Sequence, residues 1–412
     1  MEYRPRLIDA LLPRLLAELP AILLVGPRAT GKTTTASRHA GSVVRLDRDA
    51  EAVAFRADPD AALRGLREPV LLDEWQAVPS VVGAVKRAVD LDARPGRFLL
   101  AGSARSAASE GTWPGTGRLV RLTMHGLTVR EQRGAVTGVG FVDALAQGAT
   151  PQPSADAIDL RGYVELALVG GFPESALGMS ELARRFWLES YVDQLLTRDV
   201  TQLDTGRDPG RLRRYLEAYV LSTAGVVDDT TLYQAAGIDR RTALAYEHLL
   251  TELLVVDAVP AWTSDRLKRL VLAPKRFVVE PALIGSLLRL DVDAILRNGD
   301  LLGRLLETFV LAQLRPELAL SPARARLFHV RQQQGRFEVD LLVELDAGRV
   351  IAFEVKADAA PGPDAARHLA RLRDELGDRF VAGVVLHTGP STYRLGERLT
   401  ALPISSIWGA VS

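Results

Sequence analysis

The chain has 412 residues, which at about 100–200 residues per domain predicts two or three domains rather than one core. Lys and Arg (51) balance Asp and Glu (51), and with 25% charged and 47% hydrophobic residues the composition excludes a disordered or fibrous chain and leaves no net attraction for a polyanion. There is no cysteine, so disulfides, thiolate metal sites and cysteine nucleophiles are all excluded. That usage fits a reducing, cytoplasmic setting.

The N-terminal run "MEYRPRLIDALLPRLLAELPAILLVG" has the apolar weight of a leader peptide, but Arg4, Arg6, Arg14 and Glu18 interrupt it and no small-residue cleavage site follows. An amphipathic helix leading into a strand is predicted. No uninterrupted apolar run approaches the ~20 residues of a membrane span, so no membrane partner is expected.

From Ile22 to about Arg133 short apolar runs ("AILLV", "SVVRL", "PVLLD", "RFLLAGS", "RLVRLTM") alternate with helical stretches, the pattern of a parallel sheet covered on both faces. Directly after the first run comes "GPRATGKT", which matches GxxxxGK[ST] between a strand and the helix "TTTASRHA". In that setting Gly26, Pro27, Arg28, Ala29, Thr30, Gly31, Lys32, Thr33 and Thr34 form a phosphate cradle, because backbone N–H groups and a helix N-terminus favour an anion. Lys32 is expected to bridge the β- and γ-phosphates of ATP, and the Thr33 hydroxyl to hold Mg²⁺. The run "PVLLDEWQ" ends in Asp73, a second candidate metal ligand, and Glu74, a candidate to polarise the attacking water. "RFLLAGS" ends in Ser103.

The stretch "QGATPQPSADA" (Gln147 to Ala157) reads as a linker. A mostly helical region follows from Leu160. Within it, "DDTTLYQAAGIDRRTALAYEHLLTELLVVDAV" predicts a short helix capped by Thr230 or Thr231, a turn at Gly237, a second helix capped by Asp239 and a strand, which is a winged-helix pattern. Arg240 and Arg241 on the second helix are offset by Glu247 and Glu252, so a packing module competes with DNA reading. The wing-like "DRLKRLVLAPKRFVV" carries Arg266, Lys268, Arg269, Lys275 and Arg276, the best local basic patch; guarded hairpin edges have the same composition.

From about Asn298 the order is helix, strand, strand, strand, helix, strand. Asp340 lies on one strand, and Glu354 and Lys356 project from one face of the next, with Val355 opposite. A hairpin places Asp340 beside them, so that Asp340 and Glu354 could clamp Mg²⁺ and Lys356 could position water against a phosphodiester. Glu307, on the flank of a helical stripe, is a candidate third carboxylate. A salt-bridged strand pair is the competing reading of the same residues. The predicted fold is thus multidomain α/β, with domains at 1–150, 158–292 and 293–412.

The added strand between loop and carboxylates, and the polar end of the next strand, resemble the AAA+ class of P-loop ATPases. That resemblance implies a sensor role for Ser103 toward the γ-phosphate, and makes Arg105, Arg118, Arg121 and Arg130 arginine-finger candidates, with ordinary surface arginines favoured. Taken together, "GPRATGKTT", "LLDEWQ", "LLAGS", "LTVREQ", "GGFPE", "YVDQLLTRDV", "GRLLETFVLAQL" and "FEVDLL…FEVK" resemble prokaryotic ATP-binding proteins that join an AAA-type ATPase domain to the domain DUF4143. Glu131 matches the acidic residue that family has after its fifth strand. The family's C-terminal unit is similar to the PD-(D/E)xK nuclease fold, which implies roles for Glu307, Asp340, Glu354 and Lys356. One departure concerns the turn after the wing, where the family often has Asp and Gly and this chain has Glu280 and Ala282. The implied function is a Mg²⁺-dependent ATPase coupled to a nuclease-like unit acting on DNA. The alternative is a nucleotide-dependent switch or DNA-binding regulator whose C-terminal unit docks without cleaving. ATP is the expected cofactor, DNA a candidate partner and a homo-oligomer a candidate assembly.

Overall fold

The computed structural model describes residues 2–102, 117–199, 208–332 and 336–409. By spatial proximity the chain divides into two compact units. One comprises Met1–Leu127, Phe172–Glu174 and Leu250–Leu254; the other comprises Thr128–Gly171, Ser175–Leu249 and Val255–Ser412.

The first unit is built on strands β1 (Ala21–Val25), β2 (Ser42–Arg45), β3 (Val70–Asp73), β4 (Phe98–Gly102) and β5 (Val120–Thr123). They form one sheet in the order β2-β3-β4-β1-β5 with every pairing parallel. Every residue of β1, β3 and β4 is buried, which is why these runs read as continuous apolar segments rather than alternating ones. Between the strands lie helices α1 (Lys32–Ser37) and α2 (Ser80–Leu91). The latter buries Val81, Val82, Val85 and Val89 at helical spacing. These valines join Leu23, Val25, Leu72, Trp75, Phe98 and Leu100 in one core. Burying each such side chain is worth about 1.5–3 kcal/mol. Because β4 lies between β1 and β3, the loop after β1 and the carboxylates after β3 flank the same end of the sheet.

The second unit begins with helical layers that include α3 (Leu160–Val169), α4 (Glu181–Gln194), α5 (Pro209–Leu221), α6 (Asp229–Ala235) and α7 (Arg240–Glu252). The helix α6 starts one turn-step earlier than its threonines suggest: its N-cap residue is Asp228, while Thr230 and Thr231 lie inside it. Asp239 accepts the Thr242 N–H at 3.0 Å at the start of α7. Strands β6 (Val256–Val259) and β7 (Lys275–Val278) then pair antiparallel. Of the basic patch expected on this hairpin, Lys268 is exposed, whereas Arg269, Lys275 and Arg276 are taken up by acids. Lys275 and Arg276 are buried, Arg276 ion-pairs with Glu247 at 3.2 Å and with Asp229, and Arg269 makes a two-pronged pair with Glu344 at 2.8 and 2.9 Å. Paired cations of this kind leave little field for a polyanion.

Helix α8 (Gly299–Leu318) opens the C-terminal layer, capped by the Asn298 side chain at the Leu301 N–H, and its apolar face includes Leu301, Leu305, Leu306, Phe309 and Val310. The sheet it leads into has the order β12-β13-β11-β10-β9-β8, from β8 (Arg326–Gln332), β9 (Phe337–Glu344), β10 (Val350–Val355), β11 (Phe380–His387), β12 (Tyr393–Gly396) and β13 (Leu399–Pro403). Here β8, β9 and β10 pair antiparallel, and β10, β11 and β13 parallel. Helix α9 (Arg367–Leu376), which buries Leu369 and Leu372, is the crossover that the parallel β10–β11 pair requires.

Candidate nucleotide site and carboxylate centre

The loop after β1 is held in shape from several sides. A Cβ on Gly26 would overlap the carbonyl oxygen of Met124, whose own N–H closes on Val25 O at 2.7 Å, so only glycine fits. Gly31 has φ 88° and Ala29 φ 59°, left-handed positions that turn the backbone before α1. The Thr30 hydroxyl donates to Pro27 O at 2.8 Å. Arg6, 5% exposed, donates to Thr30 O at 2.8 Å and to His125 O at 2.7 Å, which ties the N-terminal segment to the loop.

Lys32 arches back across the loop, donating to Gly26 O at 2.9 Å and Pro27 O at 2.7 Å. Burial lowers its pKa to about 8, and the carboxylates of Glu74 and Asp73 offset that only in part. Thr33 Oγ1 donates to Asp73 Oδ1 at 2.8 Å, linking the first turn of α1 to the end of β3. Burial raises the Asp73 pKa against the Thr33 bond that lowers it. Glu74 follows in a left-handed conformation (φ 50°) and accepts from Gln76 Nε2. The indole of buried Trp75 packs so closely on Gly102 that a Cβ there would come within 2.6 Å of Trp75 Nε1.

Lys32, Thr33, Asp73 and Glu74, nominated from separate motifs, are therefore neighbours around one loop. A hydroxyl and a carboxylate side by side suit Mg²⁺, which keeps several waters and takes few protein oxygens besides substrate phosphates. Among the loop residues, the Thr34 and Ala29 side chains are exposed, so any share they have is through backbone. Ser103 and Arg105 lie outside the described residues. Of the other arginine candidates, Arg118 pairs with Asp90 at 2.6 Å, and Arg121 is exposed on β5. Arg130 is buried in the second unit, paired with Glu317 at 2.9 Å and donating to Ala135 O at 2.8 Å and Thr137 O at 2.9 Å. Glu131 forms a buried capping box with Thr128.

In the second unit, Glu307 on α8, Asp340 on β9 and Glu354 and Lys356 at the end of β10 converge. Asp340 accepts the Val355 N–H at 2.9 Å, and Lys356 Nζ lies 2.8 Å from Glu354 Oε2. The sequence reading missed a fifth member. Lys275 of β7, 1% exposed, contacts Glu307 Oε1 and lies 3.5 Å from Asp340 Oδ1 and 3.7 Å from Glu338 Oε1. Burial works against its charge, but Glu307, Asp340 and Glu338 outweigh it and hold the Lys275 pKa above its ordinary value. Burial also opposes ionisation of Asp340, and Lys275, Lys356 and the Val355 amide together pull its pKa below the ordinary value. Glu354 is pushed well upward by burial and by Asp340. Asp340 and Glu354, nominated as Mg²⁺ ligands, thus share a centre in which an ammonium already faces the carboxylates. Among the described residues no group of three or more His, Cys, Asp or Glu side chains is arranged to hold a metal ion. The set does not fit a resident Mg²⁺.

The parallel sheet and the loop that ends β1 define an AAA-type P-loop ATPase domain, and residues 18–132 match the family model of that description, AAA domain. Residues 302–407 match DUF4143 and residues 160–294 match DUF8612, both domains of unknown function. Two uncharacterized proteins, Rv2008c of Mycobacterium tuberculosis and Mb2031c of Mycobacterium bovis, are each 31% identical over 406 residues, covering 97% of this chain and 83% of theirs. The chain belongs to the same family as these two proteins. Among solved structures, the Walker-type ATPase PABY2304 of Pyrococcus abyssi aligns with 68% of this chain and 94% of its own at 14% identity and a TM-score of 0.42, too low to carry a functional argument. Among the described residues no helix is long and apolar enough to cross a membrane.

Proposed function

We propose that the chain is a Mg²⁺-dependent ATPase whose nucleotide state repositions its nuclease-like C-terminal unit, with DNA as the candidate partner. The observation that carries the ATPase reading is the 2.8 Å bond from Thr33 Oγ1 to Asp73 Oδ1, which joins loop and carboxylates into one site. Lys32 exchanges its bonds to the Gly26 and Pro27 carbonyls for the β- and γ-phosphates. Thr33 and Asp73 would hold Mg²⁺, which when bound would neutralise phosphate charge. Glu74 takes the proton of the water that attacks the γ-phosphorus, ADP departs with the bridging oxygen, and Ser103 senses the γ-phosphate. The loop residues Gly26 to Thr34 contribute backbone. The family matches at 18–132, 160–294 and 302–407 support three modules, at 1–150, 158–292 and 293–412, with the middle one a winged-helix-like adaptor.

For the C-terminal unit, Lys275 favours the second reading, a docking platform that does not cut, over a nuclease. Such a protein is a nucleotide-timed switch, in which slow hydrolysis ends one conformational state. The test is incubation of the full chain with plasmid and linear DNA in Mg²⁺ or Mn²⁺, with and without ATP, beside Asp340→Ala and Lys32→Ala. DNA retention that depends on ATP and Lys32, without strand breaks, supports the switch. Cleavage lost in Asp340→Ala restores the nuclease, and no DNA binding under any condition removes DNA as the partner.

A further inference from the structure

Lys275 does not belong to the helix-and-strand set that supplies Glu307, Asp340, Glu354 and Lys356; it comes from the β6–β7 hairpin. Its ammonium nevertheless stands among their oxygens, touching Glu307 and lying 3.5 Å from Asp340 and 3.7 Å from Glu338. A divalent cation bound by these carboxylates would need the same oxygens at about 2.0–2.6 Å, so metal and ammonium cannot be resident together. The lysine is 1% exposed, and its strand is fixed on both sides. Its backbone is paired with Val259, and the next residue, Arg276, is fastened by Glu247, Asp229, the Val227 carbonyl and the Gly225 backbone.

We propose that Lys275 is a built-in counter-cation that takes the place of a divalent metal in this centre, leaving it charge-balanced and unable to hydrolyse a phosphodiester. Lys356 keeps its own carboxylate, Glu354, at 2.8 Å, so the two lysines divide the centre between them. The inference rests on reading the Glu307–Asp340–Glu354–Lys356 set as nuclease-like. It adds that the hairpin of the middle region decides whether metal can enter.

The experiment measures Mn²⁺ binding by electron paramagnetic resonance to the nucleotide-free full chain, to Asp340→Asn, to Lys275→Gln, and to Lys275→Gln/Asp340→Asn. The wild-type chain is expected to hold no Mn²⁺ that Asp340→Asn removes. Lys275→Gln should gain one site, tighter than wild type by at least ~100-fold, because a full charge has left a buried cluster of carboxylates. Adding Asp340→Asn should abolish it. If Lys275→Gln melts early, stabilisation by Mn²⁺ but not by Na⁺ counts as the same gain. Wild-type binding at an Asp340-dependent site overturns the proposal, and so does a Lys275→Gln chain, folded or melted, that no Mn²⁺ binds or stabilises. A gained Asp340-dependent site that cuts no plasmid upholds the counter-cation and shows instead that the nuclease-like reading is wrong.

Discussion

Glu280 offers a measurable consequence of how the second unit is packed. Its carboxylate, 7% exposed, accepts the N–H of Gly171 at 3.1 Å and of Ala282 at 3.4 Å, and it has no ion pair among the described residues. Burial raises its pKa from 4.5 to about 7, against the two amide bonds that lower it. Because the folded pKa lies above the unfolded one, the stability linked to this proton is complete below the unfolded value and is lost as pH rises through the folded one. At about 1.4 kcal/mol per unit, the full loss is about 3 kcal/mol, of which about 2 kcal/mol develops between roughly pH 5 and pH 8. Glu280→Gln keeps an oxygen for both amides and carries no charge. The variant should therefore equal or exceed wild type near pH 8 by a few kcal/mol and lose that advantage near pH 5. Urea midpoints of the second unit's transition, followed by circular dichroism at both pH values, check this. Parallel pH dependence in the two proteins would refute the reasoning.

Two further outcomes follow from the same kind of packing. Arg6→Ala removes the donors to Thr30 O and His125 O and should weaken nucleotide affinity about tenfold with the fold intact, since each charge-assisted bond is worth about 1.5–3 kcal/mol and part is recovered by water; competition against a fluorescent nucleotide measures it. Arg130→Met leaves Glu317 buried and unpaired, and should cost about 3–5 kcal/mol of stability in the second unit while turnover per folded molecule is retained. Lost turnover at unchanged stability would instead make Arg130 an arginine finger.

The nucleotide site was legible because its chemistry is local. A strand, a glycine-bearing loop and a helix are consecutive in the chain, and the acids that complete the site end another apolar strand. What could not be read was everything set by distant packing. Glu280 and Ala282 depart from the family's Asp and Gly, and the structure shows how Glu280 is accommodated: Gly170 has φ 70°, and a Cβ on it would come within 2.5 Å of Glu280 Oε1 and 2.6 Å of Ala282 Cβ. The first glycine of "GGFPE" thus serves a partner about a hundred residues away. Lys275 is the same lesson in charge. In sequence it belongs to a run of lysines and arginines that looks like a surface patch, yet the hairpin turns Lys275 and Arg276 inward onto acids from α6, α7, α8 and β9. The run "APKRFVV" sets two cations before three apolar residues without alternation, so the sequence does not say that every position of β7 is buried. The terminal strands β12 and β13 were missed because they are only four and five residues long and end at Gly396 and Pro403.

The central claim is that one loop and one pair of acids form an ATP-hydrolysing site, with Glu74 as the base. Measuring Mg·ATP affinity and phosphate release for wild type and Glu74→Gln under identical conditions tests it most directly. The account predicts affinity within about threefold of wild type and phosphate release reduced at least ~100-fold. Unchanged phosphate release in Glu74→Gln would contradict it.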